Sequence, residues 1–249
     1  MKAICAKAVL LTLCLTLGAT SSGFAYSFLD LTSITGGSNG SFVGTLGGVT
    51  VNGAITTSSP GFVLNTPTTP TNSWELSTID NSSPQFSYST VYTPTIALTD
   101  RVGYTSFVGS INPATITITF SAPVTNPIID VANLDEMQIT ASGAMSLILL
   151  SGNGGGGDGL QVVGDVISDA NPLGVGQDPS DPPLLTGDRS AYGSVELEGT
   201  FTTLTLNVVN NGNGDGGSFT LVTPEPDSLV LLGFGLLACA GAIRRKLAQ

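Results

Sequence analysis

Ala114-Thr115-Ile116-Thr117-Ile118-Thr119-Phe120 alternates apolar and hydroxyl side chains without a break. A period of two puts the alanine, isoleucines and phenylalanine on one face of an extended chain and the threonines on the other. β-Branched residues favour that conformation. Ser121-Ala122-Pro123 is expected to end the strand, and Ile128-Ile129-Asp130-Val131 to begin the next after Asn126-Pro127. Further strands are expected at Tyr26–Leu31, Val49–Thr56, Trp74–Ile79, Phe86–Tyr92, Val102–Val108, Met145–Leu150, Gln161–Ile167 and Ser218–Val222. Ser194–Glu198 and Phe201–Val209 alternate on either side of Gly199-Thr200 and read as a hairpin. No helical period longer than two turns stands out between residues 26 and 223. Short strands separated by Gly, Pro and Asn predict an all-β fold, an antiparallel β-sandwich of lectin or jelly-roll type.

The two ends of the chain read differently. Lys2 and Lys7 precede an apolar stretch from Ala8 to Gly18, and Gly23-Phe24-Ala25 offers small residues at the −3 and −1 positions. That pattern predicts a signal peptide over residues 1–25, its apolar part helical, cut after Ala25. At the other end, Pro224-Glu225-Pro226 precedes an uncharged run from Ser228 to Ile243, and Arg244-Arg245-Lys246 follows. A helix over 228–243 would be roughly 24 Å long at 1.5 Å per residue, short against a hydrocarbon core of about 30 Å. Snorkelling of the basic residues or local thinning of the bilayer would close the gap. One transmembrane helix is therefore expected there, with the basic cluster on the cytoplasmic side.

This tail resembles the PEP-CTERM sorting signal of exported Gram-negative bacterial proteins, also called an ice-binding-protein C-terminal motif. Pro224-Glu225-Pro226, the apolar run and the basic cluster follow in that family's order. Thr223 and Asp227 stand where the family often has Val and a small residue. The resemblance implies export, anchoring on the periplasmic side of the inner membrane and processing by an exosortase-type enzyme. It implies a final place at the cell surface or in the extracellular matrix. A plain membrane anchor is the other reading of the same helix. A softer resemblance joins Thr117–Asn133 and Gly193–Leu204 to lectin-like domains of bacterial fibrillar adhesins, and no binding residue is carried over from it.

Three domains are thus expected: residues 1–25, an exported body over 26–223, and a tail over 224–249. The cysteines, Cys5, Cys14 and Cys239, all lie in the two end segments, so the body has no disulfide or thiol chemistry. The chain has no histidine, which rules out histidine bases and ligands of its own. Between residues 26 and 223 only Arg101 and Arg189 face sixteen acids, a formal charge of −14. Such a surface repels nucleic acid and favours solubility and cations.

Asp165, Asp169, Asp178, Asp181 and Asp188 fall in a segment rich in Pro and Gly. Hard oxygen donors suit calcium, and a solvated acidic loop explains the same residues. Asn153–Leu160 holds one near-copy of a calcium-binding nonapeptide, where an ion-binding roll needs tandem copies. Asn211–Gly217 reads as a hairpin turn. Asp135-Glu136 and the pair Glu196 and Glu198 could serve as glycosidase carboxylates, or simply face water. The leading expectation is a non-enzymatic surface or matrix protein, structural or adhesive. A carbohydrate-binding module facing extracellular polysaccharide comes second, and a polysaccharide hydrolase third.

Overall fold

The alternation over Ala114–Phe120 becomes the first seven residues of a twelve-residue strand, where buried and open residues alternate as the apolar and threonine residues do. The strand does not end at Ser121-Ala122-Pro123 but runs on to Thr125. The computed structural model describes residues 26–57, 62–64, 91–95, 101–106, 113–134, 137–152, 159–170, 191–210, 215–224 and Arg244. Tyr26–Pro224 form one unit, and of the other, made of the two chain ends, only exposed Arg244 is described. The signal helix, the transmembrane helix and the strand expected at Trp74–Ile79 lie outside the described residues. Among the described residues no helix is long and apolar enough to cross a membrane.

In chain order the strands are β1 (Tyr26–Phe28), β2 (Asp30–Thr35), β3 (Ser41–Leu46), β4 (Val49–Thr57), β5 (Phe62–Leu64), β6 (Val102–Ser106), β7 (Ala114–Thr125) and β8 (Ile128–Leu134). There follow β9 (Met137–Ser142), β10 (Leu147–Gly152), β11 (Leu160–Val163), β12 (Val166–Asp169), β13 (Ala191–Leu197), β14 (Thr200–Asn210) and β15 (Asp215–Pro224). They form two antiparallel sheets. The first runs β10-β13-β8-β15-β6-β5, with β1 also on β15, and the second β11-β12-β9-β14-β7-β4-β3-β2. Ile116, Ile118, Leu204 and Leu206 from one sheet meet Ile129, Val131, Val195 and Leu221 from the other in a shared core. Burying each such side chain stabilises the fold by roughly 1.5–3 kcal/mol. An aromatic row crosses the layers. Phe62 stacks on Tyr104 with centroids 5.7 Å apart, Tyr104 lies 6.4 Å from Phe219, and Phe219 meets Phe42 edge-on at 6.2 Å.

The expected hairpin across Gly199-Thr200 is corrected. β13 pairs with β8 and β10, whereas β14 pairs with β7 and β9 in the opposite sheet. Gly199 is a corner between sheets, not a turn within one. The same happens at Asn126 between β7 and β8, and the two corners lie side by side. Asn126 N–H donates to Gly199 O (2.8 Å), and Gly199 N–H donates to Asn126 Oδ1 (3.0 Å). Asn126 (φ 48°) and Gly199 (φ 141°) take backbone angles that asparagine and glycine tolerate best. A two-stranded ribbon, β7–β14 continued by β8–β13, thus folds over the edge of the sandwich.

Other expectations change for similar reasons. Tyr26–Leu31 is not one strand: the chain crosses sheets at buried Leu29, between β1 and β2. Gln161–Ile167 is a hairpin of β11 and β12 around Gly164-Asp165. Asp215–Gly217, expected in a hairpin turn, are the first residues of β15 and pair with β6. β14 and β15 lie in different sheets and form no hairpin with each other. Tyr92 does not end a strand; Val91–Pro94 is a short turn with a cis Thr93–Pro94 bond.

Candidate functional site

β15 carries the chain out of the sheet and into the tail. Its end is held by β1, with Phe28 opposite Val222, Ser27 opposite Thr223 and Tyr26 opposite Pro224. Leu29 N–H extends the ladder by donating to Leu221 O at 2.8 Å. On its other side, Val222 pairs with Ile128 of β8. Pro224 suits this terminal place, because a proline tolerates only the edge or end of a ladder. Of the sorting-motif residues, the structure therefore places Pro224 at the last rung of β15. Glu225, Pro226, Arg245 and Lys246 lie outside the described residues.

A second constellation escaped the reading of the sequence. In the register of the first sheet, Asp130 of β8 stands between Ser194 of β13 and Thr220 of β15. All three are fully buried. Alternation turns them away from Ile129, Val131, Val195 and Leu221, so they occupy the outer face of the sheet. Ser194 Oγ donates to Asp130 Oδ1 at 2.5 Å and accepts from Thr93 N–H at 2.9 Å. Tyr92 Oη donates to Val131 O at 3.2 Å, and its ring packs with Ala132, Phe28 and Tyr192. The Tyr92-Thr93 segment is thus a strap laid across the sheet.

Burial raises the Asp130 carboxyl from 3.8 to about 8, against a smaller lowering by the Ser194 hydrogen bond. Asp130 is therefore protonated at neutral pH. The Tyr92 phenol is pushed well above its usual range, mainly by burial, then by Asp130 and Tyr192, while buried Arg101 pulls the other way. A protonated carboxyl is not a base, and the Ser194 hydroxyl is fully enclosed. The arrangement holds a proton and a strap; it does not activate a nucleophile.

Of the five aspartates expected to bind calcium, the structure describes two. Asp165 is exposed at the β11–β12 turn, and Asp169 is buried at the far end of β12. Four residues of strand put them about 13 Å apart at roughly 3.3 Å per residue. Asp178, Asp181 and Asp188 lie outside the described residues, and among those described no three acidic, Cys or His groups converge on a metal position. Asp135-Glu136 and most of the Asn153–Leu160 repeat also lie outside them. Glu196 is half-buried on β13. The Glu198 carboxylate accepts a hydrogen bond from Ser146 Oγ, and its backbone exchanges bonds with Met145 N–H (2.8 Å) and Ser146 O (3.0 Å). Glu198 thereby ties the β9–β10 turn to the Gly199 corner.

Fold and tail together define a sorted cargo: a β-sandwich whose last strand runs straight into a targeting signal. Residues 222–246 match the family of the PEP-CTERM protein-sorting motif. The motif marks the chain for export and for membrane-associated sorting toward the cell surface, with an exosortase as the processing partner. No curated protein and no solved structure matches the chain.

Proposed function

We propose that this chain is an exported surface or extracellular-matrix protein with a structural, adhesive role, its tail a temporary anchor in the inner membrane. In this reading residues 228–243 span the bilayer, Arg244, Arg245 and Lys246 stay cytoplasmic, and the sandwich stands on the periplasmic side until an exosortase-type enzyme releases it. The observation that carries the structural role is one edge of the sandwich. Among the described residues the exposed large apolar side chains are Met145, Ile148, Leu149 and Val163. All four lie on or beside β10 and β11, which end the two sheets. Leu147-Ile148-Leu149-Leu150-Ser151-Gly152 carries no charge in a body that is otherwise strongly acidic. Soluble proteins usually protect an edge strand with charge or proline. Among the described residues no strand pairs with the outer edge of β10, so this uncharged strand is offered for pairing with a second copy.

Sedimentation velocity of the Tyr26–Pro224 body tests this. Self-association is expected, and Leu149→Lys should weaken it about tenfold or more, equivalent to about 1.4 kcal/mol. Leu149 is 44% exposed, so the melting temperature should hold. A body that stays monomeric at high micromolar concentration would remove the structural reading. Selective binding on a glycan array by such a monomer would move the role to recognition of extracellular polysaccharide.

A further inference from the structure

Residues 222–246 match as one motif, yet the fold divides it. Val222, Thr223 and Pro224 belong to β15, and β1 pairs with all three. Val222 is wholly buried and Thr223 is 8% exposed. Enzymes and receptors that take extended peptides need a free backbone edge to pair with. At Val222 both edges are occupied, by β1 and by β8. At Thr223 and Pro224 β1 occupies one edge.

We propose that β1 is a clasp that sets the limit of proteolytic processing: the released body keeps β15 whole through Pro224. The first three residues of the sorting motif are then part of the folded cargo, and only the chain beyond them is offered to the processing enzyme. The clasp is made from the first strand of the body, so its two ends close on each other at the Tyr26–Pro224 pair. Processing is thereby tied to folding, because a body that has not docked β1 leaves Val222–Pro224 open to cutting. The inference rests on the reading of the tail as an exosortase substrate.

Two measurements separate the clasp from that reading. The first is the intact mass of the protein released by cells that carry an exosortase-type enzyme. Species ending at Pro224 or later are expected, and a species ending at Thr223 or earlier overturns the clasp. A tail that stays uncut through Gln249 counts against sorting, and the second measurement then judges the clasp. The purified full chain is digested with a broad-specificity protease and the C-terminus of the resistant fragment is read by mass spectrometry. Wild type should end at Pro224 or later; ends within Leu221–Thr223 overturn the proposal. Leu29 and Ser27 share a hydrogen-bonding side of the ladder, since such positions recur every second residue. Ser27→Pro removes that donor and should shift the resistant end upstream, into Leu221–Thr223. An unshifted end in Ser27→Pro would show that β1 is not the clasp. If that variant does not fold, the wild-type digest alone decides.

Discussion

Gly193→Ala should destabilise the sandwich by about 3 kcal/mol, the sum of overpacking and backbone strain. Gly193 lies on β13 between β8 and β10, opposite Val131 on one side and Gly152 on the other. The register slips beside it in both pairings, between Leu149 and Ser151 on β10 and between Ala191 and Gly193 on the β8 side. These irregularities crowd the backbones together. An added Cβ would stand 2.6 Å from Gly152 Cα and nearer still to the Ser151 carbonyl oxygen. Backbone atoms in a ladder cannot rotate aside as a side chain can. The residue also has φ 155°, which an L side chain rarely adopts. For a body of this size the loss corresponds to roughly 6–12 °C in melting temperature. Gly48→Ala is the control: φ is 81° and nothing lies within 4 Å of the added carbon, so strain of about 1 kcal/mol acts alone. Thermal melts of the Tyr26–Pro224 body check both. Equal melting of the two variants would mean that the crowded register, as described, does not constrain the strand.

This position shows where reading the chain residue by residue stops. Period-two alternation made Ala114–Phe120 legible as a strand because half-burial leaves its mark on every residue. Ser194–Glu198 and Phe201–Val209 were legible as strands for the same reason, and their partners were not. A hairpin and a corner between sheets share the same alternation and the same glycine; the difference lies in Asn126, more than seventy residues away. The break at Leu29 was hidden because β1 and β2 are both extended. The sorting motif was legible, since its order of proline, apolar and basic residues is local. The Asp130 cluster was not. Ser194 is 64 residues from Asp130 and 101 from Thr93. Asp130 sits where alternation points outward, so it reads as a surface acid until the strap of Tyr92-Thr93 is seen to cover it. Arg101 offered a weak signal, as one of only two cations between residues 26 and 223.

That covered acid carries the other large effect, a stability that falls as pH rises. Asp130 binds its proton up to about pH 8 when folded and releases it near 3.8 when unfolded. Between those values the folded state holds the extra proton, so each pH unit costs up to about 1.4 kcal/mol of stability. The contribution is complete below the unfolded value, shrinks through the neutral range and is gone above about 8. Asp130→Asn cannot ionise, yet Asn Oδ1 still accepts from Ser194 Oγ. Wild type and variant should therefore unfold alike near pH 4, with the variant gaining several kcal/mol relative to wild type by pH 8. Urea melts from pH 4 to 9 check this, read as the difference between the two proteins, so that the many surface acids cancel. Tyr92, Tyr192 and Arg101 face the same cluster, and burial pushes the Tyr92 phenol well above its usual range, away from that window. A flat difference curve would place the proton elsewhere. Ser194→Ala separates the hydrogen bond from burial. It removes the donor to Asp130 and the acceptor for Thr93 N–H together, so it should loosen the strap while leaving the direction of the pH slope unchanged.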